Sequence, residues 1–172
     1  MSAKSVRQAI ADYLRPTQGI SKMFRDEPWI VTSEAWTQPD GLPGTVAYVH
    51  IDREAETRYA LAGANPFGIG KALEYMVSIV VLYQYDIPDQ PDDKDSWVDG
   101  LDELLDALKA RVRADPTLGT GPGGVIWQAG EGGHMGGPDL EVQRDLPKLH
   151  HGKVLSWNAL QFKVTEMVGT DA

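Results

Sequence analysis

The chain has 172 residues and a mass of 18.8 kDa, the size of one ordinary domain, and 42% of its residues are hydrophobic, which is enough for a packed core. It contains no cysteine, which excludes disulfides, thiolate metal sites and cysteine nucleophiles. Its formal net charge is −9 and no block of Lys and Arg is present to neutralise phosphates, so tight binding of nucleic acid is not expected.

The N-terminal segment predicts a short helix rather than a signal peptide. Residues 1–14 alternate polar and apolar residues and lack a continuous apolar stretch. Residues 5–14 share an apolar face, and Ser5 and Gln8 have the spacing of a capping box. The longest apolar run of the chain, IVVLY at 79–83, is far shorter than the roughly 20 residues of a membrane helix. The sequence therefore predicts a soluble protein.

Strand candidates come next along the chain. VAYVHI at 46–51 and TRYALA at 57–62 flank the charged segment DREAE, a pattern typical of a β-hairpin with a five-residue loop. GANPFGIG at 63–70 predicts a glycine-rich connection. LEYMVSIVVLYQY at 73–85 has a period of two with apolar residues on both faces, which predicts a central strand covered on both sides.

An acidic stretch precedes the clearest helix. Residues 86–106 contain nine acids against the single base Lys94. We interpret them as a solvated face, with a face turned toward a passage or a partner as the alternative. Residues 97–114 have leucines at three- and four-residue spacing, a second capping box at Ser96 and Asp99, and basic residues in the second half. These features predict an amphipathic helix.

The C-terminal third combines a loop and a strand. Residues 119–137 contain nine of the 18 glycines and predict a long loop with a short strand in GVIWQAG, within a loop insert over 119–152. Residues 153–168 predict a C-terminal strand, with a bulge near Asn158 because Trp157 falls on the opposite phase. The whole chain thus predicts one α+β domain, with a mixed, mainly antiparallel sheet and two main helices packed on it.

The segment 63–71 has the look of a nucleotide-phosphate loop but lacks its requirements. Such a loop needs a glycine five residues before its Gly-Lys pair, a hydroxyl after the lysine and a helix behind it. Here Asn65 occupies the glycine position, Ala72 follows Lys71, and a strand is predicted next. The dinucleotide pattern also fails, because Leu73 occupies its third glycine position. We therefore predict no nucleotide cofactor.

The other polar residues do not form a recognisable catalytic or metal pattern. The histidines at 150–151 would point to opposite faces of a regular strand, and could join His134 at a metal only if the glycine loop folded back. We interpret His50 as a packed or edge histidine, and Asp52 and Glu54 as solvated residues of a hairpin turn. The sequence predicts no enzyme, no cofactor and no metal site.

The order of elements and one helix–turn signature resemble a known family. WVDGLDELLDALKARVRADPTLGTGPGGV joins a leucine-rich helix to a DPTLG turn and a short strand, and a loop and a final strand follow. The long strand LEYMVSIVVLYQY, a hairpin and a short helix come before it. Over about residues 5–168, this order resembles the tail terminator (tail-completion) proteins of long-tailed, siphovirus-type bacteriophages.

The resemblance implies a structural virion protein with a mixed sheet flanked by helices. Proteins of that family form hexameric rings that cap the tail tube, end tail polymerisation and present a surface to the head–tail connector or neck protein. DNA passes through the lumen without specific binding, and an acidic chain fits this because like charges keep DNA from the wall. The implied location is the neck of the virion, and the host cytoplasm during assembly.

Glycine-rich loops give a separate reason to expect a homo-oligomer. Apolar residues in such loops would leave apolar area exposed on a monomer, whereas neighbours in a ring could bury them. The alternative, that they pack on their own domain, stays open. Because a ring uses heterologous contacts, two different faces must take part. The candidate interface residues are Asn65, Pro66, Phe67, Lys71, Trp127, His134 and Met135.

Two other functions remain open at the level of sequence. One is another head–tail connector or neck protein, which belongs to the same broad class. The other is a small ligand-binding or enzymatic α+β domain whose site uses the glycine-rich loops. Particle mass and shape would separate the first class from the second.

Overall fold

The chain builds a mixed sheet with two α-helices packed on one of its faces. A computed structural model describes residues 2–37, 44–60, 69–86, 96–121, 123–127, 140–150 and 153–168. Within these ranges the elements are α1 (Ala3–Leu14), β1 (Ile20–Phe24), a 3-10 helix (Ser33–Trp36), β2 (Thr45–Ala60), β3 (Ile69–Asp86), α2 (Ser96–Ala114), β4 (Val125–Trp127), β5 (Glu141–Arg144), β6 (Lys148–His150) and β7 (Lys153–Val168). The predicted α+β class with a mainly antiparallel sheet is confirmed.

Both predicted helices are present, and α1 begins earlier than its sequence pattern indicates. Ser2 is the N-cap residue, and its side chain accepts a hydrogen bond from the backbone N–H of Ser5 at 3.3 Å. Ser5 therefore lies inside the first turn, and the predicted capping box at Ser5 and Gln8 is wrong. Helix α2 starts at Ser96, one residue before the predicted start, and buries its leucine stripe against the sheet.

The predicted hairpin turn at DREAE is wrong. Residues 52–56 continue β2 without a turn, and β2 pairs with β3 from Val46↔Leu82 to Ala60↔Ile69. The only irregularity in this ladder is a register shift between Ile51 and Arg53. The connection between the two long strands therefore falls on residues 61–68, which lie outside the described residues.

The central strand β3 is confirmed and is longer than predicted. It lies between β2 and β7, and its ladder with β7 runs without interruption from Lys71↔Val168 to Asp86↔Lys153. The predicted bulge near Asn158 is therefore wrong. Trp157 has the opposite phase simply because its side chain lies on the other face of the sheet, paired with Leu82.

Three short strands in the C-terminal half add to the outer edge of β7. The expected short strand in GVIWQAG is β4, which pairs with residues 164–166. Strands β5 and β6 pair with residues 158–161 and 153–155, so part of the predicted loop insert over 119–152 is strand instead. The glycine-rich remainder at 128–139 lies outside the described residues.

Two hydrophobic clusters lie on opposite faces of the sheet. The larger one joins the buried sides of α1 and α2 to alternating residues of β2, β3 and β7, and we call this side the helix face. The smaller cluster, on the other side, packs the 3-10 helix over Val46, Tyr48 and Leu82. Because this cover reaches only one end of the strands, we call the second side the open face.

Candidate interaction surface

The outer edge of β2 is the first exposed feature that the fold creates. Strand β1 pairs with β2 only across Thr45–Tyr48. From residue 49 to residue 57, β2 bonds to β3 on one side, and none of the described strands covers its other side. We call this stretch the open edge. Unpaired strand edges are templates for pairing with another chain, and charged side chains and bulges usually protect them.

The open edge carries both kinds of protection. Asp52, Arg53, Glu54 and Glu56 are exposed there, and the register shift after Ile51 interrupts the ladder. His50 lies at the start of this stretch and is half-exposed, so it is an edge histidine as the sequence indicates. Asp52 and Glu54 stand on a strand rather than in a turn, which corrects their predicted setting.

A chain of hydrogen bonds crosses four strands on the open face. The Gln143 amide donates to Gln161 Oε1 at 2.8 Å, and Gln161 Nε2 donates to Ser78 Oγ at 3.0 Å. The Ser78 hydroxyl donates in turn to Asp52, whose other oxygen lies 3.8 Å from His50 Nε2. Sequence patterns did not bring these five residues together, because their proximity depends on the register of β2, β3, β5 and β7.

This network orients the Ser78 hydroxyl without activating it. A serine nucleophile needs a histidine that takes its proton. Here a carboxylate accepts that proton in a hydrogen bond, and His50 contacts Asp52 from the other side. Ser78 is also buried, at the centre of the sheet. The geometry fits a structural role, in which the network satisfies the hydrogen-bonding groups of polar side chains on the open face.

An apolar residue between two cations lies next to this network. Met76 on β3 is paired with Arg53 on β2 and with Lys163 on β7, so the three side chains form one row across the open face. Met76 is 39% exposed. Lys163 bonds to Glu74 at 2.7 Å, whereas Arg53 has no ion pair with any described residue. Further along, Ile126 on β4 is also exposed.

A second apolar protrusion follows β1. Trp29 is 97% exposed and Ile30 is 70% exposed, although Val31 beside them packs against the smaller cluster. The segment is held in place by an ion pair of 3.2 Å between Asp26 and Arg7 of α1. A fully solvated tryptophan on an anchored segment is uncommon, since tryptophan is strongly enriched where proteins contact each other.

The structure describes two of the seven predicted interface residues. Lys71 lies on β3 with its Nζ 3.4 Å from Glu56, whereas the sequence pattern places it in the loop before that strand. Trp127 is only 8% exposed and packs in the larger cluster, so it packs on its own domain, which was the open alternative. Asn65, Pro66, Phe67, His134 and Met135 lie outside the described residues.

A tyrosine of β3 and a carboxylate of β7 form a buried pair on the helix face. Tyr75 is fully buried and its hydroxyl lies 3.5 Å from Glu166, which is itself almost fully buried. Burial, together with the carboxylates of Glu166 and Glu54, raises the pKa of Tyr75 to about 12. The hydroxyl therefore remains protonated at neutral pH and can act as a hydrogen-bond donor.

One open groove, of about 660 Å³, lies beside α1. Lys4, Gln8, Tyr13 and Arg25 contribute to its lining, together with Gly119 at the start of the glycine-rich segment. Its charges are mixed, because Asp12 is also part of the wall. Within the described ranges, no group of three His, Asp or Glu side chains is arranged to hold a metal ion.

Comparisons with known proteins add no relative. No protein-family model matches the sequence, and no match is found among curated proteins. In the described part of the chain, neither helix combines the length and the apolar character that crossing a bilayer requires.

Proposed function

We propose that this chain is a structural virion protein, a tail terminator subunit that assembles into a hexameric ring. The ring would cap the tail tube, end tail polymerisation and join the tail to the head connector, at the neck of the virion. The observation that carries the proposal is a sheet with one face covered by helices and with one edge and most of the other face uncovered by described elements. Such surfaces are suited to contacts between subunits.

Two further observations support assembly rather than catalysis. The exposed apolar residues Trp29, Ile30 and Met76 would cost free energy on a subunit that stays alone in water. The polar network around Ser78 satisfies hydrogen bonds, and the Ser78 hydroxyl donates to Asp52 rather than to the histidine that a serine nucleophile needs. The net charge of −9 is also compatible with a lumen that DNA crosses without binding.

The deciding experiment is the mass and shape of the particle in the presence of tail-tube subunits. A ring of six copies has six times 18.8 kDa, or about 113 kDa, which light scattering and electron microscopy distinguish from a monomer. We expect rings at the end of the tube. A compact monomer that leaves tube length unregulated would contradict the proposal. A ring that binds only the head connector would instead identify another neck protein.

The connection between β2 and β3 offers a targeted test of tube contact. Ala60 and Ile69 are paired, and Phe67 belongs to the segment of the sequence between them. We expect Phe67→Ala to leave the free energy of unfolding unchanged but to reduce assembly on the tube. Phe162→Ala is the matched control, since Phe162 is in the core and its loss should cost about 3–5 kcal/mol of stability. Normal assembly by Phe67→Ala would exclude this residue as an anchor.

A further inference from the structure

We propose that the segment carrying Trp29 and Ile30 docks on the row formed by Arg53, Met76 and Lys163 of a second copy of this chain. We call the first surface the tryptophan segment (residues 25–34) and the second the methionine row. The inference deepens the proposed function and rests on it, because it identifies which two surfaces of neighbouring subunits meet.

The tryptophan segment has the properties of an anchor that is fixed before binding. Asp26 is held by Arg7 of α1, and Val31 is packed on the smaller cluster, so both ends are attached to the domain. Trp29 and Ile30 lie between these attachments and project into solvent. An anchor that is already ordered loses little entropy on binding. Tryptophan is also among the residues that contribute most binding free energy in interfaces.

The methionine row has the properties of a receptor for such an anchor. Met76 has a flexible, polarisable side chain that adapts to an aromatic ring, with favourable sulfur–aromatic contacts. Arg53 and Lys163 flank it on neighbouring strands, and both are cations that can lie over an aromatic face. The polar network at Ser78 and Gln161 bounds the row on one side, which limits the apolar area to this position.

The charges of the two surfaces are complementary. The tryptophan segment carries Asp26, Glu27 and Glu34 against one cation, Arg25, which gives a net charge of −2. Glu27 and Glu34 are exposed and have no ion pair within the described part of the chain. The methionine row has two cations, of which Arg53 is likewise unpaired among described residues. Docking of Trp29 on Met76 would therefore allow Glu27 to meet Arg53.

The two surfaces lie at different places on the domain. The tryptophan segment follows β1, the edge strand, and Glu27 is close enough to Tyr48 to raise its pKa in addition to the effect of burial. The methionine row lies on the part of the open face that the 3-10 helix does not cover. A contact between two different surfaces is heterologous unless a two-fold axis makes it reciprocal, and heterologous contacts close into rings when the rotation fits. This favours a second copy as the occupant.

Cross-linking from position 29 tests the contact directly. A photoreactive phenylalanine analogue replaces Trp29 in the full chain, and the protein is assembled with tail-tube subunits after isotope-labelled and unlabelled copies are mixed. We expect mixed-isotope cross-links to peptides that contain Arg53, Met76 or Lys163. Cross-links that reach only the tube protein, or only other parts of a second copy, would overturn the inference. The absence of any cross-link between copies would overturn it as well.

Substitutions provide an independent measurement by sedimentation of the assembled particle. We expect Trp29→Ala to weaken association roughly tenfold or more. Leu146→Ala is the control, because Leu146 is also highly exposed, at 80%, but lies outside both surfaces. Glu27→Arg and Arg53→Glu should each weaken association, and the double variant should recover it. Additive losses in the double variant would rule out the Glu27–Arg53 contact.

The outcomes separate this inference from the proposed ring. If rings form normally and position 29 cross-links elsewhere, the docking inference fails and the ring stands. If position 29 cross-links to the methionine row but the particle is a closed dimer, the docking stands and the proposed ring fails.

Discussion

Gly119 occupies a backbone conformation that other residues adopt only at a cost. Its φ is +74°, and a Cβ built there would lie 2.9 Å from the Cβ of Tyr13. Gly121 has nearly the same φ, +73°, with nothing within 4 Å of the corresponding position. A comparison of substitutions at the two glycines therefore separates the free-energy cost of the left-handed backbone from the cost of the steric contact with α1.

We expect both Gly→Ala substitutions to lower the free energy of unfolding, by different amounts. Gly121→Ala should cost roughly 1–2 kcal/mol, the penalty of a left-handed conformation for an L-residue. Gly119→Ala should cost clearly more, because Tyr13 belongs to α1 and its Cβ cannot move without the helix. Urea unfolding of both variants gives the comparison. Equal losses would show that α1 adjusts freely to the turn.

Tyr75 predicts how stability changes at alkaline pH. Its folded pKa is about 12, above the usual value of 10, because of burial and of the nearby Glu166 and Glu54 carboxylates. A raised folded pKa contributes stability that is fully present below the unfolded pKa. This contribution is lost as the pH rises through the folded value. The free energy of unfolding should therefore fall between about pH 10 and pH 12.

The Tyr75→Phe variant isolates this contribution. It keeps the ring in the core and removes the ionisable hydroxyl, so we expect a shallower fall of stability above pH 10 than in the wild type. At pH 7 the variant should be less stable by roughly 1–3 kcal/mol, because the buried Glu166 carboxylate loses the Tyr75 hydroxyl as a partner. Parallel pH curves for the two proteins would contradict the assignment of the raised pKa to Tyr75.

At the scale of elements, one side-chain pair joins the two helices. The Tyr13 hydroxyl donates to the carbonyl oxygen of Arg111 at 2.8 Å, and Arg111 Nε donates to the carbonyl oxygen of Tyr13 at 3.3 Å. The Arg111 guanidinium also lies 4.4 Å from the centre of the Tyr13 ring. Two hydrogen bonds and a cation–π contact thus connect α1 to the last turns of α2.

A double-mutant cycle measures the cation–π part of this connection, because each of the two hydrogen bonds is accepted by a backbone carbonyl that the substitutions retain. We expect Tyr13→Leu and Arg111→Ala to show a coupling free energy of about 1 kcal/mol, since the pair is partly exposed. Arg113→Ala combined with Tyr13→Leu is the control, because Arg113 is exposed and these hydrogen bonds and this cation–π contact of Tyr13 are made with Arg111. Coupling of Tyr13 to Arg113 as strong as to Arg111 would show a general charge effect instead.

The elements that the sequence predicts well are those with a strong hydrophobic period. The long strands β3 and β7 and the leucine stripe of α2 each bury one regular set of side chains, so local periodicity is sufficient. The sequence of the DREAE segment predicts a turn, because charged residues on an uncovered strand edge have the same composition as a loop. Strands β1, β5 and β6 are short and depend on partners distant in the chain.

The candidate surface is harder to predict than the fold for a related reason. Met76 belongs to a strand whose pattern indicates burial on both faces, and only the limited reach of the 3-10 helix leaves it exposed. Arg53 and Lys163 are separated from it by many residues in sequence and come together through register. The glycine-rich sequence around Trp127 makes this residue a candidate interface anchor. In the structure Trp127 belongs to β4, which pairs with β7, and its side chain packs in the core.

At the scale of the whole molecule, the arrangement of the sheet predicts the relative rates of amide hydrogen exchange. Residues 77–81 of β3 are bonded to β2 on one side and to β7 on the other. Their amides should exchange only through global unfolding and should be the slowest of the chain. The same experiment reports on the open edge, where β2 has a described partner on one side alone.

In the unassembled chain, amides along residues 49–57 should alternate between slow exchange, where they bond to β3, and fast exchange, where they point outward. Residues 46–48 are the internal control, because β1 and β3 both pair with them. On assembly, docking of the tryptophan segment on the methionine row should protect the segment itself and leave the outward amides of the open edge fast. If those amides became slow only in the assembled particle, edge-to-edge strand pairing would join the subunits instead. Uniform slow exchange along 49–57 before assembly would mean that another part of the same chain covers the edge.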